Sequence, residues 1–212
     1  MKNPKFIFLI SIFIFSLKSN ASIVTSSTFE TFENTASSEL LNETFNSYST
    51  DIQLTNSPLG FDNFTISLVG TEDSLIANLI DASLFVHGPF DIDNSTYLFL
   101  KTRPNTSVVI DFNNPITHFG ATFRGLQNGS ERMEFIIEDE AITPTIDSQN
   151  DTIRFLGLSS STPFDKITLQ SKNELIDGFG MDNIYSNPTL IPLPASIAFF
   201  LSSLLFFTRV KK

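Results

Sequence analysis

The stretch "SVVIDFNNPITHFGATFRG" (Ser107–Gly125) is the part of the sequence that most clearly indicates the fold. In its second half, Phe119, Ala121 and Phe123 stand at alternate positions and are expected on one face, with His118, Thr122 and Arg124 on the other. Side chains that alternate in this way fall on opposite faces of a β-strand. The Asn-Asn-Pro sequence in the middle predicts a turn. The stretch therefore predicts two strands joined by a turn, each with one buried face.

The same pattern of short Thr-, Ile-, Val- and Phe-rich runs recurs through the body of the chain. Further strands are predicted at Asn63–Gly70, Ser95–Thr102, Arg132–Asp139, Asp151–Leu158 and Phe164–Ser171. Turn-forming clusters, among them Ser-Thr-Pro-Phe before the last of these strands, separate the runs. A helical turn or two is the alternative for Thr71–Phe85, where three aliphatic residues share a helical face.

These runs predict an all-β protein, an antiparallel two-sheet β-sandwich with a jelly-roll-like topology over residues 22–187. No βαβ alternation suggests a parallel sheet. The chain has 23 phenylalanines, three tyrosines and no tryptophan. Most phenylalanines outside the terminal segments are expected in the core. Three tyrosines, Tyr48, Tyr97 and Tyr185, are candidates for stacking on a sugar.

Charge and cysteine content exclude several classes of function. The net charge is −10, and all 23 acidic residues lie between Glu30 and Asp182. Since six of the 13 basic residues lie near the termini, the body carries a formal charge of −16. Such a surface argues against nucleic acid as a partner, because phosphates are bound by Lys and Arg. There is no cysteine, so disulfides, thiolate metal sites and cysteine nucleophiles are excluded.

Residues 1–21 have the three regions of a signal peptide. Lys2 and Lys5 precede an apolar run at Phe6–Leu17, and Ser19 and Ala21 form the small-residue pattern that precedes signal-peptidase cleavage. The alternative is an uncleaved membrane anchor, but a run of about 12 residues is short for a hydrocarbon core of about 30 Å. Export from the cytoplasm is therefore predicted, with cleavage after Ala21.

The C-terminal segment "LIPLPASIAFFLSSLLFFTRVKK" predicts a linker followed by a membrane-spanning helix. Prolines within residues 188–194 end the preceding strand. Residues 195–212 then combine an apolar run with a basic end, which the positive-inside rule retains on the cytoplasmic side. The basic residues of this stop are Arg209, Lys211 and Lys212. The alternatives are a permanent anchor and a buried core helix, and the latter fits poorly with the prolines and the basic end.

This C-terminal layout resembles the PEP-CTERM family of bacterial sorting signals, in the variant whose motif is Val-Pro-Leu-Pro-Ala. The matching residues are Ile191, Pro192, Leu193, Pro194 and Ala195, with Ile in the first place and no glutamate between the prolines. The resemblance implies processing by exosortase, a transient or lasting association with the inner membrane, and delivery to the cell envelope, outer surface or matrix. It also implies a Gram-negative bacterium that produces exopolysaccharide.

The body resembles, more weakly, β-sandwich domains that precede such tails. Those domains close with a phrase similar to Asp-Gly-Phe-Gly-Ile-Asp-Asp-Val, and "DGFGMDNI" begins at Asp177 here. Met181 and Asn183 replace the Ile and the second Asp. The loss of that carboxylate weakens a family-type cation site. The resemblance implies no enzymatic activity.

None of the common catalytic signatures occurs in the sequence. His87 and His118 have no partner at metal-ligand spacing and are expected to be solvent-facing or hydrogen-bonded strand residues. Neither a nucleophile elbow nor a phosphate-binding glycine loop occurs. The acidic run Glu138–Glu140 is expected at a solvated strand end. The sequence therefore favours a protein that is not an enzyme.

Calcium is the one cofactor for which candidate ligands are present. Asp177 and Asp182 bracket "GFGM", whose glycines permit positive φ angles, and Glu30 lies in an acidic cluster where the first strand is expected. In a jelly roll the first and last strands are often neighbours, which would bring Glu30 to Asp182. The alternative, that both aspartates bond their own backbone amides in turns, is favoured.

The sequence supports three hypotheses of function. The first is an exported, non-enzymatic surface or matrix protein, sorted by exosortase and in contact with extracellular polysaccharide. The second is a carbohydrate-binding module with a defined glycan ligand. The third is a secreted polysaccharide hydrolase, which requires two convergent carboxylates in a cleft.

Overall fold

The computed structural model describes the body of the chain with several gaps. The described ranges are 22–36, 39–48, 51–70, 77–81, 90–103, 105–126, 133–143, 152–172 and 177–189. At positions 77, 102 and 177 only the backbone is described. The signal-peptide residues Ser19 and Ala21, the sorting motif 191–195 and the basic stop at 209–212 lie outside these ranges, as does His87.

The described part of the chain is mostly antiparallel β-sheet with one short helix, which confirms the predicted all-β class. The elements are β1 (Ile23–Ser26), α1 (Phe29–Thr35), β2 (Leu41–Glu43), β3 (Ile52–Gln53), β4 (Leu59–Gly60), β5 (Phe64–Val69), β6 (Ala77–Ile80), β7 (Tyr97–Thr102), β8 (Ser107–Arg124), β9 (Met133–Ile137), β10 (Glu140–Ile142), β11 (Ile153–Ser171) and β12 (Asp177–Pro188). Each of the predicted strands corresponds to part or all of an observed one.

Hydrogen bonds link these strands in the order β10-β9-β11-β8-β12-β7-β6-β3. Off this path, β1 pairs with β11, β2 with β12, and β5 with both β4 and β8. The first half of β8, residues 107–112, pairs with β5 and with the last part of β11. The second half, residues 116–124, pairs with β12 and with the first part of β11. The two long strands, β8 and β11, therefore each pair with one group of strands in their first half and with another group in their second half.

The turns predicted at Asn113-Asn114-Pro115 and Ser161–Phe164 are wrong, since both segments lie inside continuous strands. The β8–β11 ladder shifts register between Ser159 and Phe164 and again between Phe164 and Lys166. Proline cannot donate to a ladder, and in a sheet it is tolerated at bulges and edges. The turn-forming residues thus mark bulges at which the long strands change partners.

Two further local predictions are also wrong. The segment Phe29–Glu33, expected in the first strand, lies in α1, which Thr28 caps by accepting a hydrogen bond from the Thr31 amide at 3.3 Å. Within Thr71–Phe85, the described residues Ala77–Ile80 form strand β6, which pairs with β3 and β7. Its aliphatic side chains are covered by neighbouring strands, and this burial outweighs a weak helical pattern.

Phenylalanine dominates the core, as predicted. The eight largest fully buried side chains are Phe32, Phe45, Phe64, Phe119, Phe123, Phe135, Phe164 and Phe179. The alternation predicted in β8 is confirmed for Phe119, Ala121 and Phe123, which have no exposed surface, and for Thr122 and Arg124, which are half-buried. His118, predicted on the same face as Thr122 and Arg124, is buried because Phe32 of α1 packs near it. Ring contacts at 6.0–6.4 Å connect this strand to Phe135 and Phe179.

The acidic run Glu138–Glu140 is exposed, as predicted, and forms the turn of the β9–β10 hairpin. Glu138 and Asp139 have φ angles of 49° and 67°, between the paired residues Ile137 and Glu140. Two successive positive φ angles are those of a type I′ turn, for which Asn-Gly is the preferred sequence.

We therefore expect the double substitution Glu138→Asn/Asp139→Gly to raise the free energy of unfolding by about 1 kcal/mol, because it removes the steric cost of the left-handed conformation. Urea unfolding measures this change. The control is Glu138→Asn/Asp139→Ala, which removes the same two charges but keeps a Cβ at the second position. It should therefore not raise the free energy of unfolding. Equal midpoints for the two double variants would contradict a type I′ turn.

Candidate functional site

The strands β11, β8 and β12 present an outer face, opposite the main core, on which α1 lies. Gly120 of β8 and Gly157 of β11 are directly paired, and Phe32 of α1 is fully buried against them. A Cβ on Gly157 would stand 2.5 Å from the Phe32 ring, and one on Gly120 would stand 2.6 Å from Phe155. Glycine is thus required at both positions, because α1 approaches the sheet closely there. The packing of Phe32 on these two glycines determines where α1 lies on the sheet.

Three half-buried aromatic side chains meet at the edge of α1, and we call them the aromatic patch: Phe29, Phe155 and Tyr185. The ring centroids of Phe29 and Tyr185 are 4.7 Å apart, those of Phe29 and Phe155 are 5.6 Å apart, and those of Phe155 and Tyr185 are 6.2 Å apart. Phe29 is the first residue of α1, while the other two lie on β11 and β12. The patch therefore joins three elements.

The three tyrosines predicted as candidates for stacking differ in their surroundings. Tyr97 is 2% exposed, so it belongs to the interior and is excluded as a stacking group. Tyr48 is half-buried with its ring 5.6 Å from that of Phe61. Tyr185 alone among them belongs to the aromatic patch. Phe29 and Phe155 were not predicted as site residues, because phenylalanines were expected in the core and no local pattern distinguishes these two.

Asp182 lies beside the patch on β12 and has no exposed surface. Its Oδ1 accepts a hydrogen bond from the Asn183 amide at 2.6 Å, and its Oδ2 accepts one from the Ser95 hydroxyl at 3.2 Å. The pKa of Asp182 is raised from 3.8 to about 7, chiefly by burial; the charges of Asp93 and Glu43 also raise it, and the two hydrogen bonds lower it. The carboxyl group is therefore neutral in part at physiological pH.

Ser95 connects Asp182 to an exposed loop. Its amide donates to Asp93 Oδ1 at 3.1 Å, and its hydroxyl contacts both that oxygen and Asp182. The Asp-Asn-Ser sequence, with Asn94 at φ 65°, is a recognisable turn signal. The sequence does not reveal that this turn meets a strand 87 positions later.

The glycines in "GFGM" do not have the predicted role. The described glycines with positive φ are Gly70 and Gly125, and neither Gly178 nor Gly180 is among them. Gly180 is required by space, because a Cβ there would lie 2.1 Å from the Phe90 carbonyl oxygen. The left-handed residue of this segment is Asn183, at φ 53°, where β12 shifts register against β8. Asn tolerates this conformation, which is typical of a β-bulge.

The proposed calcium ligands lie on two elements, since Glu30 is on α1 and both Asp177 and Asp182 are on β12. Glu30 is exposed on α1, and Asp177 begins β12, whereas the acidic groups whose charges act on Asp182 are Asp93 and Glu43. Among the described side chains, no three His, Asp or Glu are grouped so as to hold a metal ion. The turn interpretation is supported for Asp182 by its bond to the Asn183 amide. Calcium binding stays a prediction.

His118 is buried and hydrogen-bonded, as one of the sequence interpretations predicted. Its Nδ1 lies 2.9 Å from the Thr117 hydroxyl, and its backbone amide donates to the Asn187 side chain at 2.7 Å. Burial lowers its pKa, and bonds to the Thr35 backbone and to Asn187 oppose this shift. The ring lies 5.8 Å from Phe32, which places it under α1 in a structural role.

No helix within the described residues has the length and apolar character needed to cross a bilayer. The predicted spanning segment, residues 195–212, lies outside those residues.

Comparisons with known proteins identify no family. No protein-family model matches the chain, and no curated protein matches it. One similar solved structure is a mutant of CBM29-2, a family 29 carbohydrate-binding module. The alignment covers 68% of this chain and all of that one, with a TM-score of 0.38 and 13% identity. A similarity of this size assigns neither a ligand nor a family.

Proposed function

We propose that the chain is an exported, non-enzymatic surface or matrix protein whose β-domain binds extracellular polysaccharide through the aromatic patch. The observation that carries this proposal is the meeting of Phe29, Phe155 and Tyr185 at the surface. Flat aromatic rings offer large contact area to the C–H faces of sugars, and the phenol adds a polar group. Thr122, half-buried opposite Asp182 in the ladder, adds a hydroxyl to the same sheet face.

Tyr185→Ala is expected to weaken polysaccharide binding by roughly tenfold or more, because Tyr side chains are frequent hot spots, worth about 2 kcal/mol when removed. Affinity electrophoresis in gels that contain soluble polysaccharide measures the change. Tyr48→Ala is the matched control, since Tyr48 is also half-buried on phenylalanine but lies outside the patch. Equal retardation of the two variants would refute the patch as the binding site.

A hydrolase is less well supported than a binding protein. Asp93 and Asp182 both contact the Ser95 hydroxyl, which brings two carboxylates close together, and a glycosidase requires two convergent carboxylates. However, Asp182 has no exposed surface, and a general acid must come within hydrogen-bonding reach of the glycosidic oxygen. This burial argues for a structural role of the pair.

We further propose that exosortase sorts the protein through Ile191–Ala195 and that the segment 195–212 spans the inner membrane before processing. The proposal rests on the proline motif, the apolar run and the basic end in the sequence. Mass spectrometry of the protein recovered from its host is expected to show a mature N-terminus at Ser22 and loss of the residues after the motif. A mature product that ends at Lys212 would refute sorting.

The proposed fold is a jelly-roll-like sandwich in which the two groups of partners of β8 and β11 form its two layers. The bulges in the middle of these strands support this, because long strands change sheets at bulges. The outer face of one layer would then carry α1 and the aromatic patch.

A further inference from the structure

The three rings of the aromatic patch are tilted against one another. The plane of Phe29 is inclined by 44° to that of Tyr185 and by 87° to that of Phe155, and the planes of Phe155 and Tyr185 are inclined by 63°. A sugar stacks on an aromatic ring when its C–H face lies parallel to the ring face. No two rings of the patch can therefore present their faces to the same flat ligand.

The rings are also too close together to serve successive sugars of a chain. Their centroids are 4.7–6.2 Å apart, which is the separation of rings in direct contact. Two phenyl rings that lie side by side in one plane cannot approach this closely, because their edge hydrogens would overlap. Since a pyranose ring is about as wide as a phenyl ring, the whole patch lies within the area that one sugar covers.

The packing of α1 holds the rings at these angles. Phe155 lies over Gly120, where a Cβ would stand 2.6 Å from its ring, and its centroid is 5.3 Å from that of the fully buried Phe32. Phe29 belongs to the same helix as Phe32, so its position depends on the same contact with the sheet. Turning the Phe155 ring into the plane of either neighbour would disturb the packing of α1.

Two hydroxyl groups lie on the same face of the sheet as the rings. Thr122 pairs directly with Phe155 in the β8–β11 ladder, and Tyr185 carries the second hydroxyl. Burial raises the pKa of the Tyr185 phenol, and the charges of Asp182 and Glu33 raise it further, so the phenol keeps its proton at physiological pH. A hydroxyl both donates and accepts hydrogen bonds, as the hydroxyls of a sugar do. A sugar unit stacked on the patch would therefore have polar partners beside the rings.

We infer that the aromatic patch holds one sugar unit of a polysaccharide at a time, as a soluble chain or a chain end presents it, and does not adsorb to the flat face of a crystalline polysaccharide. This inference rests on the proposed polysaccharide binding. A crystalline face offers a row of coplanar sugars, and a patch of mutually tilted rings can use only one of them.

The first test measures how affinity depends on the length of the ligand. The full-length protein is titrated, with ligand-observed NMR, with oligosaccharides of glucose, mannose, galactose and N-acetylglucosamine, from the monosaccharide to the hexasaccharide. For a site that holds one unit, the hexasaccharide should bind at most roughly sixfold more tightly than the monosaccharide, because identical units only multiply the ways of binding. A platform for successive sugars would add about fivefold for each further ring covered, or more than about twentyfold for the three rings.

The second test uses Tyr185→Phe, which keeps the ring and removes the hydroxyl. It should weaken binding of the monosaccharide and of the hexasaccharide by the same factor, about two- to fivefold, as for one neutral hydrogen bond. If the rings served successive sugars, the monosaccharide would move to another ring and be little affected. Tyr48→Phe is the matched control, because Tyr48 is also half-buried on phenylalanine but lies outside the patch. It should change neither affinity.

The third test is adsorption to crystalline cellulose and crystalline chitin, which should retain no more of the wild-type protein than of Tyr185→Ala. A weak dependence on length, equal losses for both ligands in Tyr185→Phe and no adsorption through Tyr185 would support the inference. A gain of more than about twentyfold with length, a loss confined to the hexasaccharide, or adsorption that Tyr185→Ala abolishes would overturn it and leave the proposed polysaccharide binding intact. Failure of every saccharide to bind would overturn the proposed function as well.

Discussion

Asp182→Asn is expected to stabilise the protein at pH 8 by roughly 2–4 kcal/mol and to have little effect at pH 4. The pKa of Asp182 is about 7 in the folded protein, against 3.8 for the free side chain. Ionising a buried carboxyl therefore costs up to about 4 kcal/mol. Asparagine has the same shape, can accept from the Asn183 amide and can donate to Ser95, but it carries no charge.

The direction of the pH dependence follows from proton uptake. Between pH 4 and 7 the folded state holds the Asp182 proton while the unfolded state has lost it, so the folded state binds more protons. The Asp182 contribution to the free energy of unfolding is then complete below about pH 4 and falls as pH rises through about 7. An ordinary ion-paired aspartate behaves in the opposite way.

Urea unfolding across this pH range measures the effect as the difference between wild type and Asp182→Asn. Asp93→Asn is the control, because Asp93 is exposed and contacts the same serine. It should change the curve much less, by relieving only the repulsion of Asp182. Parallel curves for wild type and Asp182→Asn would refute a buried carboxyl with a raised pKa.

Gly180→Ala is expected to lower the free energy of unfolding by about 3 kcal/mol. Its Cβ would lie 2.1 Å from the Phe90 carbonyl oxygen and 3.2 Å from the Tyr97 ring. The first of these atoms belongs to the backbone, so it cannot move aside as a side chain does, and overpacking of this kind costs about 1–3 kcal/mol or more. The segment around Phe90 would have to leave the face of β12.

Gly178→Ala is a matched control on the same strand, two residues away. A Cβ there would meet only the Phe99 ring at 3.8 Å, an ordinary contact, and its φ is not positive. We expect this variant to be neutral or slightly more stable, since alanine reduces the conformational freedom of the unfolded chain. Urea midpoints of the two variants decide the matter. An equal loss of stability in both variants would mean that the segment requires glycine for a reason other than space.

Much of the fold follows from the sequence because it depends on local pattern. Alternation with period two places Phe119, Ala121 and Phe123 in the core, and the β-class follows from runs of this kind. The helix α1 did not follow, although Thr28 is a good N-cap. Seven residues form only about two turns, which is too short for a helical period to be recognised in the sequence. The helix is held in place because Phe32 packs on Gly120 and Gly157, which lie on two strands distant in sequence.

The sequence by itself determined an acidic, cysteine-free, antiparallel β-protein with a phenylalanine core, because these properties are set by composition and by the period of side chains along each strand. Only the tertiary structure decided that β8 and β11 run unbroken through their turn-like residues, that Phe29, Phe155 and Tyr185 meet, and that Asp182 is buried against Ser95. The reason is physical. A pKa, a bulge or a ring contact depends on neighbours supplied by remote segments, and strand pairing alone determines which segments become neighbours.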